Sequence, residues 1–317
     1  MKADFFSSCW LLVLLAAVIY VGGTFSTSHG AARTAESGAH TSAPITANVV
    51  DLTGHVVPCL PYQRIASASQ LADGLLLELA EPERILALSH NGRVHDPDAH
   101  RYGKRAEISG PSDLERLITL GADLLVVNQV GAEAELARAR AAGIAVFELG
   151  EMHGSATLEP SIMALATLLG DRARGERVWQ RFSRRLRAVA GAIAPPQRKS
   201  ALYVAIYANK IYGGTRGTSY YDVLTAAGLI DVAAQRYRGW PQYDPEQLLQ
   251  LDPPLIVTDL AMARQLCSNV WLQRLRACAG ERAGVIEISG DLLGDPGLRM
   301  LDAAETLHDR VYAMQSR

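Results

Sequence analysis

Between Asp171 and Ile193 the apolar residues Val178, Trp179, Phe182, Leu186, Val189, Ala190 and Ile193 recur at helical spacing. That period puts them on one stripe of a single amphipathic helix. At 1.5 Å per residue the helix is about 35 Å long, and Pro195-Pro196 ends it. Such a rod divides the chain into an N-terminal and a C-terminal part. Each part must then find its own core.

Both parts alternate strands with helices. Before the rod, Asp51–Val57 reads as a hairpin around Gly54, and Arg64–Ser67 opens a strand-to-helix unit. A helix comes next over Gln70–Ala80, with Leu71, Leu75, Leu76 and Leu79 on one face. Strands are predicted at Glu83–Leu88, Ala106–Ser109, Asp123–Asn128 and Ile144–Leu149. The helices between them start after Ser112 and at Ala132. Leu158–Leu169 is helical and leads into the rod. After it come strands at Ala201–Tyr207, Leu255–Asp259 and Val285–Ile288. Helices are predicted at Tyr221–Ala227, after Pro245, at Val270–Arg276 and at Leu298–Met314. The residues around 113–127 and 245–257 repeat one plan, a short helix and then a buried strand. The fold class is therefore α/β: two parallel-sheet lobes joined by one long helix. The boundaries fall at 1–49, 50–157, 158–195 and 196–317. Ligands of open parallel sheets bind outside the strands' carboxyl ends, so two facing lobes enclose a cleft.

Composition narrows the function. With 31 Lys and Arg against 33 Asp and Glu, the net charge of −2 excludes a dedicated nucleic-acid binder. Four cysteines with no C-x-x-C pair exclude a zinc ribbon and a thioredoxin-type site. Trp10–Gly23 is an uncharged, mostly apolar run, short for a membrane span and of the length of a signal-peptide core. A cleaved signal is expected ahead of an uncleaved anchor. Residues 26–48 read as a disordered tether, and the remainder as exported. An exported protein can hold a disulfide. Cys267 and Cys278 are the candidate pair, provided the intervening segment brings their Cα atoms within about 7 Å. Cys59 is then the odd thiol.

Loops after strands supply the candidate site. Ser69, His90 and His153 come after strands of the first lobe; Tyr207, Arg216, Trp240 and Tyr243 lie in the second. The Gly-rich turn Gly213–Thr218 lacks the G-K-[ST] ending of a phosphate loop. It allows close backbone approach, with Arg216 favouring an anion. Trp240, between Gly239 and Pro241, stands outside any apolar stripe and suits a contact surface, whereas Trp179 and Trp271 read as core. His90, His95 and His100 recur every five residues, so they share no helical face and could converge only in a loop, beside Asp96, Asp98 and Tyr102. An ordinary polar loop accounts for them equally. No H-E-x-x-H or G-x-S-x-G motif is present, so no enzyme chemistry is expected.

Four stretches together resemble one family, the periplasmic substrate-binding proteins of ABC importers for iron-siderophores, haem and cobalamin. They are DLTGHVV with QRIASAS (51–69), SDLERLITLGADLLVV (112–127), GGTRGTSYYDVLTAAGLIDVAA (213–234) and GWPQYDPEQLLQLDPPLIVTD (239–259). The resemblance spans about residues 51–317 and implies a monomeric periplasmic protein with no cofactor. Its ligand would be a small metal chelate, and its partners a permease and its ATPase in the inner membrane. It also implies that Glu115 and Glu246, at corresponding places in the repeated units, dock on permease arginines. Residues 90–102 depart from the family's pattern. They leave open a free zinc or manganese binder, or a chelatase-like enzyme.

Overall fold

The first lobe is a five-stranded parallel sheet in the order β5-β4-β3-β6-β7. The computed structural model describes residues 47–96, 98–128, 132–260, 262–270, 272–279 and 284–312. A hairpin of β1 (Asn48–Val50) and β2 (Val56–Pro58) precedes the sheet. The chain then runs through β3 (Ile65–Ser67), α1 (Gln70–Leu79), β4 (Ile85–Ser89), α2 (His90–His95) and β5 (Ala106–Ile108). α3 (Leu114–Leu120), β6 (Leu124–Val127), α4 (Glu133–Ala141) and β7 (Ala145–Glu148) complete it. β3 and β6 are buried at every position, as expected of strands covered on both faces.

Two helices then cross to the second lobe, α5 (Ser155–Leu168) and α6 (Arg172–Gly191). Asp171 caps α6 by accepting the Arg174 N–H at 2.8 Å. α5 and α6 cross so closely at Gly175 that a Cβ there would stand 2.5 Å from the Ala166 Cβ. Arg181 ties α6 to Glu78 of the first lobe at 2.6 Å, and Arg185 ties it to Glu305 of the second at 2.7 Å.

The second lobe contains β8 (Ser200–Tyr203), β9 (Ala205–Tyr207), β10 (Lys210–Tyr212), α7 (Ser219–Ala226), β11 (Ile230–Asp231) and β12 (Gln242–Tyr243). It continues through α8 (Pro245–Leu251), β13 (Leu255–Asp259), α9 (Ala263–Ser268), β14 (Val285–Ile288), α10 (Gly290–Leu293) and α11 (Met300–Tyr312). Its parallel sheet runs β11-β8-β13-β14, the order of β4-β3-β6-β7 in the first lobe. β9, β10 and β12 form a separate antiparallel sheet. One apolar cluster runs from Leu76 and Phe147 through Ile162, Val178 and Phe182 to Val223 and Leu301. It joins both lobes through the linking helices.

Two local expectations change. The described residues of 90–102 are not an open loop: they include α2 and a 3-10 turn at Ala99–Tyr102. Ser89 caps α2 through Gly92 N–H, and Tyr102 is fully buried beneath it. The helix expected at Val270–Arg276 is replaced by α9, nearer the N-terminus, and two 3-10 turns, Leu272–Arg274 and Arg276–Cys278. Cys267 and Cys278 are disulfide-bonded there, with Cα atoms 5.5 Å apart, and Cys59 is free. The apolar run at 10–23, expected as a signal, and Trp271 lie outside the described residues.

Candidate functional site

Two contacts between the lobes involve segments that follow strand carboxyl ends. After β7, the Ser155 N–H at the start of α5 donates to Asp222 of α7 at 2.6 Å. After β4, His95 meets Asp291, which lies just past β14. The carboxyl ends of both sheets therefore border the same gap.

The second lobe presents an aromatic wall. The β9–β10 turn has positive φ at Ala208 (47°) and Asn209 (61°), the geometry of a tight two-residue hairpin loop. It holds Tyr207 at its tip, 75% exposed. β10 pairs with β12, and the pairing continues beyond both strands. Gly213 N–H donates to Pro241 O at 2.8 Å, Thr215 N–H to Gly239 O at 3.0 Å, and Gly239 N–H to Arg216 O at 3.0 Å. These bonds bring Arg216 and Trp240 together. Arg216 is exposed. Trp240 is 54% exposed and packs edge-on against Tyr220, with centroids 5.0 Å apart. Tyr220 in turn stacks on Tyr203 at 3.9 Å. Burial pushes both phenols up. Sequence reasoning misses Tyr220 and Tyr203. The one signal for them is the aromatic pair Tyr220-Tyr221 closing the Gly-rich turn.

Tyr243 sits differently. It is 3% exposed, edge-on to Tyr237 at 5.3 Å, in an apolar cluster with Leu248 and Ile256. Its hydroxyl has no hydrogen-bond partner. Gly213 makes room for it, since a Cβ there would stand 2.5 Å from the ring. Beneath the same turn Thr215 Oγ1 donates to Asp231, whose carboxyl is raised by burial against that bond.

The first lobe's border is polar. Ser69 caps α1, and its Oγ accepts N–H groups from Ala72 at 3.3 Å and Asn128 at 3.1 Å, which joins the β3 and β6 loops. His90 is exposed, with Nδ1 2.8 Å from Glu107, whose other oxygen meets Arg93 at 2.8 Å. The hydrogen bond from His90, with the positive charge of Arg93, holds the Glu107 carboxyl below its usual range. His153 is exposed beside Glu151, Nε2 to Oε2 3.6 Å. Glu115 and Glu246 are exposed in the first turns of α3 and α8, the helices preceding the equivalent strands β6 and β13.

The three histidines of 90–102 do not converge. His90 faces Glu107, His95 faces Asp291, and His100 is exposed. A cluster of metal-ligand types does occur elsewhere, at Asp51, His55 and Glu148. Its bonds are spent on the β1–β2 turn. Asp51 Oδ1 accepts from Thr53 N–H and Oγ1 and from His55 N–H at 2.8–3.0 Å, and Arg140 holds Glu148 at 2.5 Å.

Two such lobes on a long linking helix, with a cleft between strand ends, form a binding architecture, and the sequence assigns it. Residues 65–281 match the sequence family described as periplasmic binding protein. The chain belongs to the periplasmic binding protein family. This family is exported, and no helix among the described residues is long and apolar enough to cross a membrane. Solved periplasmic binding proteins share the fold. A possible iron-binding protein from Staphylococcus epidermidis ATCC 12228 superposes with a TM-score of 0.70 at 14% identity, covering 80% of this chain and 100% of its own. A periplasmic heme-binding protein from Pseudomonas aeruginosa gives 0.65 at 23% identity, over 79% and 93%. The vitamin B12-binding protein of Vibrio cholerae gives 0.61 at 22% identity, over 81% and 99%. No curated protein matches the chain significantly in sequence.

Proposed function

We propose that this periplasmic binding protein captures an intact metal chelate between its lobes and delivers it to an ABC permease, whose ATPase drives uptake. The chelate is of the haem, cobalamin or iron-siderophore kind. The observation that carries this reading is the stack of Trp240, Tyr220 and Tyr203, with Tyr207 exposed on the same lobe. A broad, flat, largely apolar guest packs against such rings, and Arg216 suits a guest that carries acidic groups. Ser69, His90 and His153 line the opposite border, and Tyr243 packs in a separate apolar cluster beside the Gly213 turn. The heme-, B12- and iron-binding descriptions of the structural neighbours point the same way. The protein acts as an exported monomer, leaves its guest chemically unchanged and needs no cofactor of its own.

Absorbance titration with hemin, cyanocobalamin and a ferric hydroxamate tests the reading, alongside equilibrium dialysis against Zn²⁺ and Mn²⁺. One intact chelate is expected to be retained and neither bare metal. Retention of bare metal with no chelate bound would overturn it.

Glu115 and Glu246 are proposed to meet basic residues of the permease, one per lobe. Charge complementarity of this kind governs encounter and register more than affinity for the guest. Reversing both charges should abolish uptake in cells while chelate affinity in solution stays unchanged. Normal uptake by the double variant counts against the docking role.

A further inference from the structure

The C-terminal end of α2 and Asp96 belong to the first lobe yet reach the second at two points. At the end of α2, His95 Nδ1 lies 3.2 Å from Asp291 Oδ2. The next residue, Asp96, has Oδ1 3.9 Å from Arg299 Nη1, and both of these side chains are mostly buried. The first contact is a hydrogen bond when the ring is neutral and an ion pair when it is protonated. A cavity of about 280 Å³ lies alongside, bordered by α1, α6 and residues 295–302.

Neither half of these pairs is free to drift. Ser89, which caps α2, donates its N–H to Asp73 at 2.9 Å and its hydroxyl to the same carboxylate. Gly92 has no room for a Cβ, because Asp73, Tyr102 and Ser89 crowd it. Asp96 accepts from the Asp98 N–H at 2.8 Å and from the buried Tyr102 hydroxyl at 3.4 Å. On the other side Asp291 lies just past β14, and Arg299 precedes α11. Asp295 lies buried near Arg299, with its carboxyl raised by burial. Arg299 is thus the cation between Asp96 of one lobe and Asp295 of the other. Since each partner is fixed to its own lobe, separating the lobes stretches both contacts together.

We infer that the C-terminal end of α2, with Asp96, forms a clasp between the lobes, in which His95–Asp291 and Asp96–Arg299 set the resting width of the cleft. His95 and Asp96 are positioning residues in this role and touch no guest. The inference stands apart from the identity of the chelate.

Interlobe distances measured without added ligand test it. Spin labels on Thr119→Cys in α3 and Gln250→Cys in α8, in a Cys59→Ser background, report lobe separation by double electron–electron resonance. Asp291 is half exposed, so Asp291→Ala removes the acceptor and leaves the core untouched. That variant should move the distance distribution to longer values and broaden it. Arg299→Gln should widen it further. Exchanging the exposed pair, His95→Asp with Asp291→His, should restore the original distribution, whereas His95→Asp alone widens it. A distribution unchanged in position and width in folded Asp291→Ala overturns the clasp. That result stands even if Arg299→Gln fails to fold.

Discussion

Trp240 stands between Gly239 and Pro241, which mark it as a presented ring, and it is half exposed with its edge against Tyr220. Truncating a half-exposed ring opens no core cavity. Trp240→Ala should therefore shift the melting temperature by no more than a degree or two. Its contact area with a flat guest is worth about 1–3 kcal/mol, so hemin, used as the probe, should bind about 5- to 150-fold more weakly. A melting temperature lowered by several degrees with unchanged affinity would make Trp240 a structural plug. Tyr243 belongs to the same loop in sequence, and strand parity explains its different place. Side chains alternate faces along a strand, so Gln242 is exposed and Tyr243 turns into the core. Asp73 has no sequence signature beyond its place in a leucine-rich helix. Burial pushes its carboxyl up to about 7, against hydrogen bonds from Ser67, Ser89 and Tyr102. The folded value lies above the unfolded one, near 3.9. Its contribution to stability is therefore complete below about pH 4 and is lost as pH rises through 7. Asp73→Asn should flatten the fall in melting temperature between about pH 4 and 7. An unchanged slope would place the titration elsewhere.

Among elements, those with a full period or a long apolar run are legible in the sequence. α1, β6, β13 and α6 lie within a residue or two of their expected spans because their own side chains encode the burial. α2 is not legible. It has six residues, little apolar pattern, and a cap and a buried tyrosine supplied by tertiary neighbours. The join between the Arg216 and Trp240 turns depends on backbone bonds between distant residues, which no local period reveals. The α5–α6 crossing depends on one missing atom. Gly175→Ala would put a methyl group against Ala166 and near the Ile162 carbonyl, and the helices would have to part. Overpacking of this kind costs about 1–3 kcal/mol. The expected sign runs against propensity, because alanine otherwise favours a helix over glycine. A stabilised Gly175→Ala protein in chemical denaturation would show that the crossing can relax.

For the molecule as a whole, the apolar cluster that threads both lobes and the linking helices sets the mechanical character. Two domains on a flexible linker would unfold separately, whereas lobes sharing a core lose it together. Calorimetry on residues 45–317 should give one transition, with calorimetric and van't Hoff enthalpies in agreement. Two resolved transitions would mean that the lobes are energetically independent. The same continuity limits how far the cleft can open, so small ties between the lobes have leverage on its width. The two-lobed plan is visible from alternation alone, while the shared core is not. Its members are drawn from helices and strands of both lobes and become neighbours only in three dimensions.

The bond between Cys267 and Cys278 bears on how the protein is made. It closes a short loop beside α9, worth about 3 kcal/mol in chain entropy. Three cysteines among the described residues, with Cys59, allow three pairings, of which one is native. Cys59 lies in the first lobe, more than 200 residues away in sequence. A chain oxidised while still unfolded can trap the wrong pair, whereas one oxidised after the second lobe has collapsed finds its partners already side by side. Recombinant yield should therefore depend on the timing of oxidation, and Cys59→Ser should make it insensitive to that timing.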